Sequence, residues 1–433
     1  DAKNLNIVHT DQKLEYQKRK VEFYNKYDFI FKKFINNLKK IILSEDRIYL
    51  KSHEITKYDF IKIQLKLKQS PLNPNFYFSD KTFTTIINDD LLNYDNQIRS
   101  QIKLEYKKEK NFENFILERI KYDLPNYLVE NFEKIYKYVN NLNFYQKTII
   151  SGSDHYYNIL FKFWIALNKF KGNKIITLDH GIHNGVEKGD IYYQEEIGDL
   201  NLGYYKKMKK NEVQIPSIKL SKYINLRSSD IKRKFLLYVT NDNMQYPENI
   251  LICPIGNQIN FVINYFKEFS EYLKEEIKKN IAIRPTIKKH FPNSWIKDKI
   301  IKKFSKSYKI IDTNYPEYYK NSKIIICTYP QTSFAEAIIS GPTILLTDLK
   351  LWPHLDNFPE LKADLLDAKI IFEDPINAAK HINKVWDNPY EWWSSKKVEN
   401  AKKRFINETA LVSKDAVTQF ANYLSELKNF KDI

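Results

Sequence analysis

Residues 324–346 read IIICTYPQTSFAEAIISGPTILL, and the pattern of this stretch decides the fold. Ile324 to Cys327 is an unbroken apolar run, too short for a buried helix and ended by a turn around Pro330. Thr332 to Ser340 has helical spacing, Gly341-Pro342 interrupts it, and Thr343 to Leu346 is apolar again. Strand, helix, strand is the repeating unit of a parallel sheet. Working outward, Phe235–Val239, Ile281–Ile283 and Tyr308–Ile311 read as further short strands, with an amphipathic helix over Ile259–Lys278. Strands alternating with helices at this spacing specify a Rossmann-like domain.

The same logic recurs upstream. Thr148-Ile149-Ile150 runs into Ser151-Gly152-Ser153, His155–Phe170 has helical spacing, and Lys174–Leu178 is a short strand. Residues 12–70 and 95–143 read as helical, with a turn at Ser70–Asn75, and the chain from Trp386 onward reads as helical throughout. The expected organisation is therefore a helix-rich region over 1–145, a Rossmann-like part over 146–220, a second Rossmann-like domain over 221–395 and a helical C-terminus over 396–433. The fold class expected is α/β.

Composition narrows the function. With 43% hydrophobic and 15% aromatic residues the 433-residue chain can bury a large core, and 9 Gly and 15 Pro exclude a fibrous or low-complexity protein. Lys and Arg outnumber Asp and Glu by 70 to 53, a formal charge of +17 that attracts anions. The lysines are spread along the chain without zinc-finger spacing or an RNA-recognition signature, so no nucleic-acid partner is expected. A nucleotide-linked donor or the anionic inner-membrane surface accounts for the charge instead. Cys253 and Cys327 are the only cysteines, which excludes a disulfide framework and a cysteine zinc site. No apolar run spans a bilayer and Asp1–Gln12 lacks a signal-peptide core, so a cytoplasmic protein, peripheral on the inner membrane, is expected. P-loop, nucleophile-elbow and HExxH motifs are missing from the sequence.

Four constellations carry candidate chemistry. In Thr177–Gly185 (TLDHGIHNG), Asp179, His180 and His183 follow a strand, where open parallel sheets bind ligands. An imidazole there can move a proton or, as a cation, stabilise a departing phosphate. A plain strand-to-loop turn is the alternative. Glu187, Glu195, Glu196 and Asp199 come next; Glu196 is the candidate base or nucleophile, against a solvated helix face as the alternative. Arg284 closes the strand IAI and is suited to grip phosphate in a bidentate fork, or to make a surface ion pair. Finally, Thr328, Gln331, Thr332 and Ser333 surround a helix start, where free amides and the helix dipole favour phosphate. Thr332 or Ser333 could equally be a simple N-cap. Glu336, one turn in, could accept sugar or ribose hydroxyls. The His spacing matches no strong metal pattern, so neither a metal nor another cofactor is expected.

At these residues the sequence resembles a bacterial family of surface-carbohydrate transferases. HGIHNG (180–185) followed by YQEEIGDLNLGYY (193–205) is similar to that family's "HGG…E…E…D…WGW" stretch. The resemblance continues in order through IRP (283–285), TYPQTSFAEAIISGPTILL (328–346), IFEDPINAAKHINKVWDNPYEWW (371–393) and AKKRF (401–405). Ile182 replaces the second glycine of HGG, and Leu202-Gly203-Tyr204 stands in the WGW-like place. More distantly, the family is similar to capsular enzymes that transfer Kdo and related ulosonic acids from CMP-linked donors. The resemblance implies a GT-B-like fold, two Rossmann-like domains facing a cleft: the 1–145 region would contribute to the acceptor-side domain with 146–220, 221–395 would bind the nucleotide donor, and 396–433 would be the C-terminal crossover helix. It also implies a glycosyltransferase that retains anomeric configuration while building a surface polysaccharide such as capsule or lipopolysaccharide. His180, Asp179, His183 and Glu196 would serve catalysis; Arg284, Thr328, Gln331, Thr332, Ser333 and Glu336 would hold the nucleotide-sugar. A glycan or glycolipid is the implied acceptor, with other polysaccharide-assembly enzymes as partners. Alternatives are a sugar-nucleotide epimerase or polyol-phosphate transferase on the same fold, and a non-catalytic scaffold of an assembly complex.

Overall fold

The computed structural model describes residues 47–71, 75–87, 94–103, 112–142, 144–181, 194, 196–207, 209–227, 232–240, 258–285, 295–311, 315–351 and 358–429. By contact the chain divides into two compact units, Asp1–Lys51 with Lys68–Ile175, and Ser52–Leu67 with Ile176–Ile433.

In the first unit, β1 (Ile48–Lys51) pairs in parallel with β2 (Thr148–Ser151), Ile48 opposite Thr148. This corrects the helical reading of 12–70 at Ile48–Lys51, whereas Lys57–Lys66 is helical as expected and 12–46 lies outside the described residues. Ile48, Tyr49 and Leu50 are fully buried, and burial of β-branched and aromatic residues in a sheet outweighs helical surroundings. The helices include α2 (Asn96–Gln101), α3 (Phe112–Asp123), α4 (Phe132–Asn141) and α5 (Ile159–Phe170). The Asn158 side chain caps α5 by accepting from the Phe161 amide. Trp164 of α5 anchors the core: its ring stacks on Phe144 at 5.2 Å and its Nε1–H donates to the Phe144 carbonyl at 2.6 Å. Burying such a side chain contributes about 2–3 kcal/mol. Arg99 of α2 is buried and donates to both Glu130 carboxylate oxygens and to the carbonyls of Lys121, Tyr122 and Leu124, tying down the end of α3.

Strand β3 (Lys174–Leu178) opens in the first unit and runs into the second, where it pairs in parallel with β4 (Leu200–Gly203), and β4 with β5 (Glu212–Gln214). The strand order of this sheet is β1-β2-β3-β4-β5. The other sheet has six parallel strands: β6 (Phe235–Thr240), β7 (Ile281–Pro285), β8 (Lys309–Ile310), β9 (Ser322–Cys327), β10 (Thr343–Leu346) and β11 (Ile371–Phe372). Their order is β11-β10-β9-β6-β7-β8. The chain starts at β6, steps outward one way to β8, then returns to β9 beside β6 and steps outward the other way. This is the doubly wound order of a Rossmann sheet, with its switch point between β6 and β9. Helices cover both faces, so successive strand residues alternate between two apolar cores rather than between core and water. Leu237, Val239 and Ile325 face one core; Leu236, Tyr238, Ile324 and Ile326 face the other.

Helices of this unit include α1 (Lys57–Lys66), α6 (Ile218–Ser221), α7 (Gln258–Glu271), α8 (Trp295–Phe304), α9 (Tyr315–Lys320), α10 (Thr332–Ser340), α11 (Pro359–Asp367), α12 (Pro375–Val385), α13 (Pro389–Trp393), α14 (Lys396–Thr409) and α15 (Ala416–Asn429). Arg227 is fully buried and closes the C-terminal end of α10. It donates to the Ala337 and Pro342 carbonyls, each at 3.0 Å, and to the Ser340 and Thr343 hydroxyls, each at 2.9 Å. The expected single C-terminal helix is two, α14 and α15. Between them Ala410 leaves helical geometry and the backbone pairs elsewhere: Leu411 N–H donates to the Tyr204 carbonyl, and Ser217 N–H to the Leu411 carbonyl. Helix α15 packs on α1.

Candidate functional site

Register places the donor-side residues. Val239 in β6 is level with Arg284 in β7 and with Cys327 in β9, so Arg284 and Thr328 stand at the same carboxyl edge, flanking β6. Ligands bind at such an edge, beside the switch point. Thr328 is buried there with no hydrogen-bond partner for its hydroxyl among the described residues. Beyond it α10 begins. Its N-cap is Gln331, not Thr332 or Ser333, and the Gln331 side chain makes no capping bond. Ser333 instead accepts from the Tyr329 phenol at 2.9 Å. The helix start therefore keeps its positive end without a side-chain cap. Arg284 is half-buried, and its guanidinium lies over the Tyr315 ring at the start of α9.

Glu336, one turn into α10, is buried. Burial pushes its carboxyl above the ordinary range, while Lys219, Arg284 and a hydrogen bond from the Tyr223 phenol pull the other way. Lys219 of α6 lies 3.9 Å from Glu336 and 3.2 Å from Glu54, bridging two carboxylates. Lys222, also reached from α6, pairs with Asp59 of α1 at 2.5 Å. Burial, then the neighbouring Glu336, pushes the Tyr223 phenol up. Tyr315 and Cys327 are likewise raised by burial, with Arg284 opposing.

The HGIHNG loop is only partly described. Asp179 is buried at the end of β3; its Oδ1 accepts from the His180 amide at 3.1 Å. His180 is half-buried. Tyr204, beside β4, is raised first by burial and then by the fields of Glu54 and Asp179. Electrostatic contact thus runs from Asp179 through Tyr204 and Glu54 to Lys219, Glu336 and Arg284. His183, with Glu187 and Glu195, lies outside the described residues. Glu196 is exposed in a short helical segment ahead of the amino end of β4, whereas Asp179 follows the carboxyl end of β3. Glu196 and Asp199 do not share a helix side, because the helix ends before Asp199.

Sequence reasoning missed Glu54, Lys219, Tyr223 and Tyr315. The one local signal was the i,i+4 spacing of Lys219 and Tyr223 after the Ser217 cap. Among the described residues no group of three or more His, Cys, Asp or Glu could hold a metal ion. Nor is any described helix long and apolar enough to cross a membrane.

Residues 3–424 match the profile described as LIC12162 family transferase; the chain belongs to this family of transferases. No curated protein sequence matches it. Among solved structures it is similar to S. aureus MnaA in a co-structure with UDP, at 12% identity and TM-score 0.46, covering 88% of this chain and 96% of that one. It is also similar to Acinetobacter baumannii MurG, at 9% identity and TM-score 0.42, covering 88% of this chain and 99% of that one.

Proposed function

We propose that this transferase is a glycosyltransferase of GT-B type, moving a sugar from a nucleotide-activated donor onto a surface glycan or glycolipid. The observation that carries this reading is the alignment of Arg284 with Thr328 and the uncapped start of α10 at the switch point of the second sheet. A diphosphate or phosphate group fits that positive edge, and Glu336 is one turn away to accept ribose or sugar hydroxyls.

In the proposed reaction the bond from the anomeric carbon to the phosphate oxygen breaks, and one from that carbon to an acceptor oxygen forms. Arg284 and the α10 amides take up the charge that develops on the leaving phosphate. Each such preorganised donor is worth about 3–4 kcal/mol. The acceptor proton passes to His180 or Asp179, the titratable pair at the end of β3. The ulosonic-acid resemblance favours a CMP-linked donor and retention.

Calorimetric titration with CMP, CDP, UDP and GDP tests this. The expected result is saturable CMP binding that Arg284→Ala weakens and release of CMP in the presence of acceptor. Selective UDP or GDP binding would replace the donor class. Binding of none would overturn the transferase site and favour the scaffold.

A further inference from the structure

We infer that the α4/α5 face of the first unit is a docking surface for an anionic lipid bilayer. Each helix buries one side in its own core, Ile135 and Val139 from α4, and Leu160, Phe161, Trp164 and Ile165 from α5. Both helices also carry aromatics that remain exposed beside this core, with Phe163 partly buried against it. Phe132 and Tyr136, one turn apart on α4, are 47% and 41% exposed, and their rings stack 6.3 Å apart. Phe132 also rests on Phe163 of α5, 5.2 Å between centroids. Seven residues on, the same side of α5 ends in Phe170, which is 90% exposed. Ring contact and helical spacing thus join these residues into one aromatic strip rather than scattered exposed side chains.

Charge identifies the occupant. Between Lys134 and Leu178 the chain has Lys134, Lys137, Lys147, Lys162, Lys169, Lys171 and Lys174, and a single acid, Asp154. That acid is neutralised by Lys51 at 2.5 Å. Glu133, just outside the stretch, pairs with Lys137. Lys169 and Lys171 flank Phe170 directly. An aromatic strip whose most exposed ring, Phe170, stands between Lys169 and Lys171 fits the interface of a negatively charged membrane, where rings enter the headgroup layer and ammonium groups stay with phosphate. A second copy fits poorly, since pairing this face with itself would bring lysines against lysines. Helix α3 shows the contrast: its exposed Phe112, Phe115, Ile116 and Ile120 share a helix with Glu113, Glu118 and Asp123, so its charge favours no anionic partner.

This inference is independent of the donor-site reading, and flotation of the full chain with vesicles tests it. Binding is expected to phosphatidylcholine vesicles containing phosphatidylglycerol, weak to phosphatidylcholine alone, and reduced by salt. The pair Phe132→Ser/Phe170→Ser and the pair Lys169→Glu/Lys171→Glu should each weaken binding roughly tenfold or more, with unchanged circular dichroism and melting. No binding to the mixed vesicles, or equal binding by both folded variants, would overturn it. So would a concentration-dependent dimer that the Phe variants dissolve, which would make the occupant a second copy.

Discussion

The Arg284 guanidinium lies over the face of Tyr315, 3.3 Å from the ring centre. Stacking on a ring fixes the plane of the guanidinium fork, so the head is oriented before any anion arrives. Lysine has neither the fork nor the stacking plane. Arg284→Lys should therefore weaken nucleotide binding by about tenfold, near 1.4 kcal/mol, although charge is conserved. Tyr315→Leu should move affinity the same way by less. Calorimetric Kd values equal to the unmodified protein's in Arg284→Lys would remove the oriented fork from recognition.

Glu336 makes a pH prediction. Its carboxyl is held above the ordinary 4.5 by burial, so the folded protein binds this proton more tightly than the unfolded chain. The stability it contributes is complete below the ordinary value and is lost as pH rises through the folded value. Glu336→Gln should keep or raise the melting temperature at neutral pH and flatten its decline above pH 4.5, while weakening nucleotide binding. A lower melting temperature at neutral pH would show that the ionised carboxylate, paired with Lys219, stabilises the fold.

The Arg99–Glu130 pair has the opposite sign. The Arg99 hydrogen bonds hold the Glu130 carboxyl down to about 2. Its contribution is present above the ordinary carboxylate value and disappears as pH falls toward 2. Glu130→Gln leaves a buried guanidinium without its counter-charge and should cost about 3–5 kcal/mol in urea unfolding of the first unit. Adding Arg99→Met to it should recover part of that loss. A cost no larger than a surface pair's, below about 1 kcal/mol, would refute the assignment.

His381 is enclosed between Phe372 and Trp392, the latter ring edge-on at 4.8 Å. Burial depresses its imidazole to about 4. The unfolded chain then binds the proton more readily, so stability present at neutral pH falls as the medium is acidified from 6.5 toward 4. The loss is at most about 3 kcal/mol. His381→Gln should remove this slope from melting curves across that window; an unchanged slope would assign it to other groups.

Much of the second sheet was legible because its strands are buried on both faces. IIIC and TILL are unbroken apolar runs that no half-exposed strand would show. Arg284 and the α10 start were legible for the same reason, since each follows the end of such a run. The strand β1 was not: four residues in a Lys- and Glu-rich stretch carry too little period to mark a strand, and only pairing with β2 defines it. Glu54 and Lys219 were hidden more deeply. They lie 165 residues apart, and a contact at that separation leaves no trace in local spacing. The C-terminal break at Ala410 was invisible because its cause is backbone pairing with Tyr204 and Ser217 rather than a helix-breaking residue.

The packing of α1 against α15 also sets a timetable for synthesis. The surface that covers α1 is made roughly 350 residues after it, about 20–70 seconds at ordinary elongation rates. Throughout that interval α1 stands without its cover while the strands of the second unit accumulate. A nascent chain stalled before Ala416 would present α1 without its cover. Such a chain is the form in which chaperones or proteases would meet this protein, so its yield in the cell depends on how quickly α15 arrives.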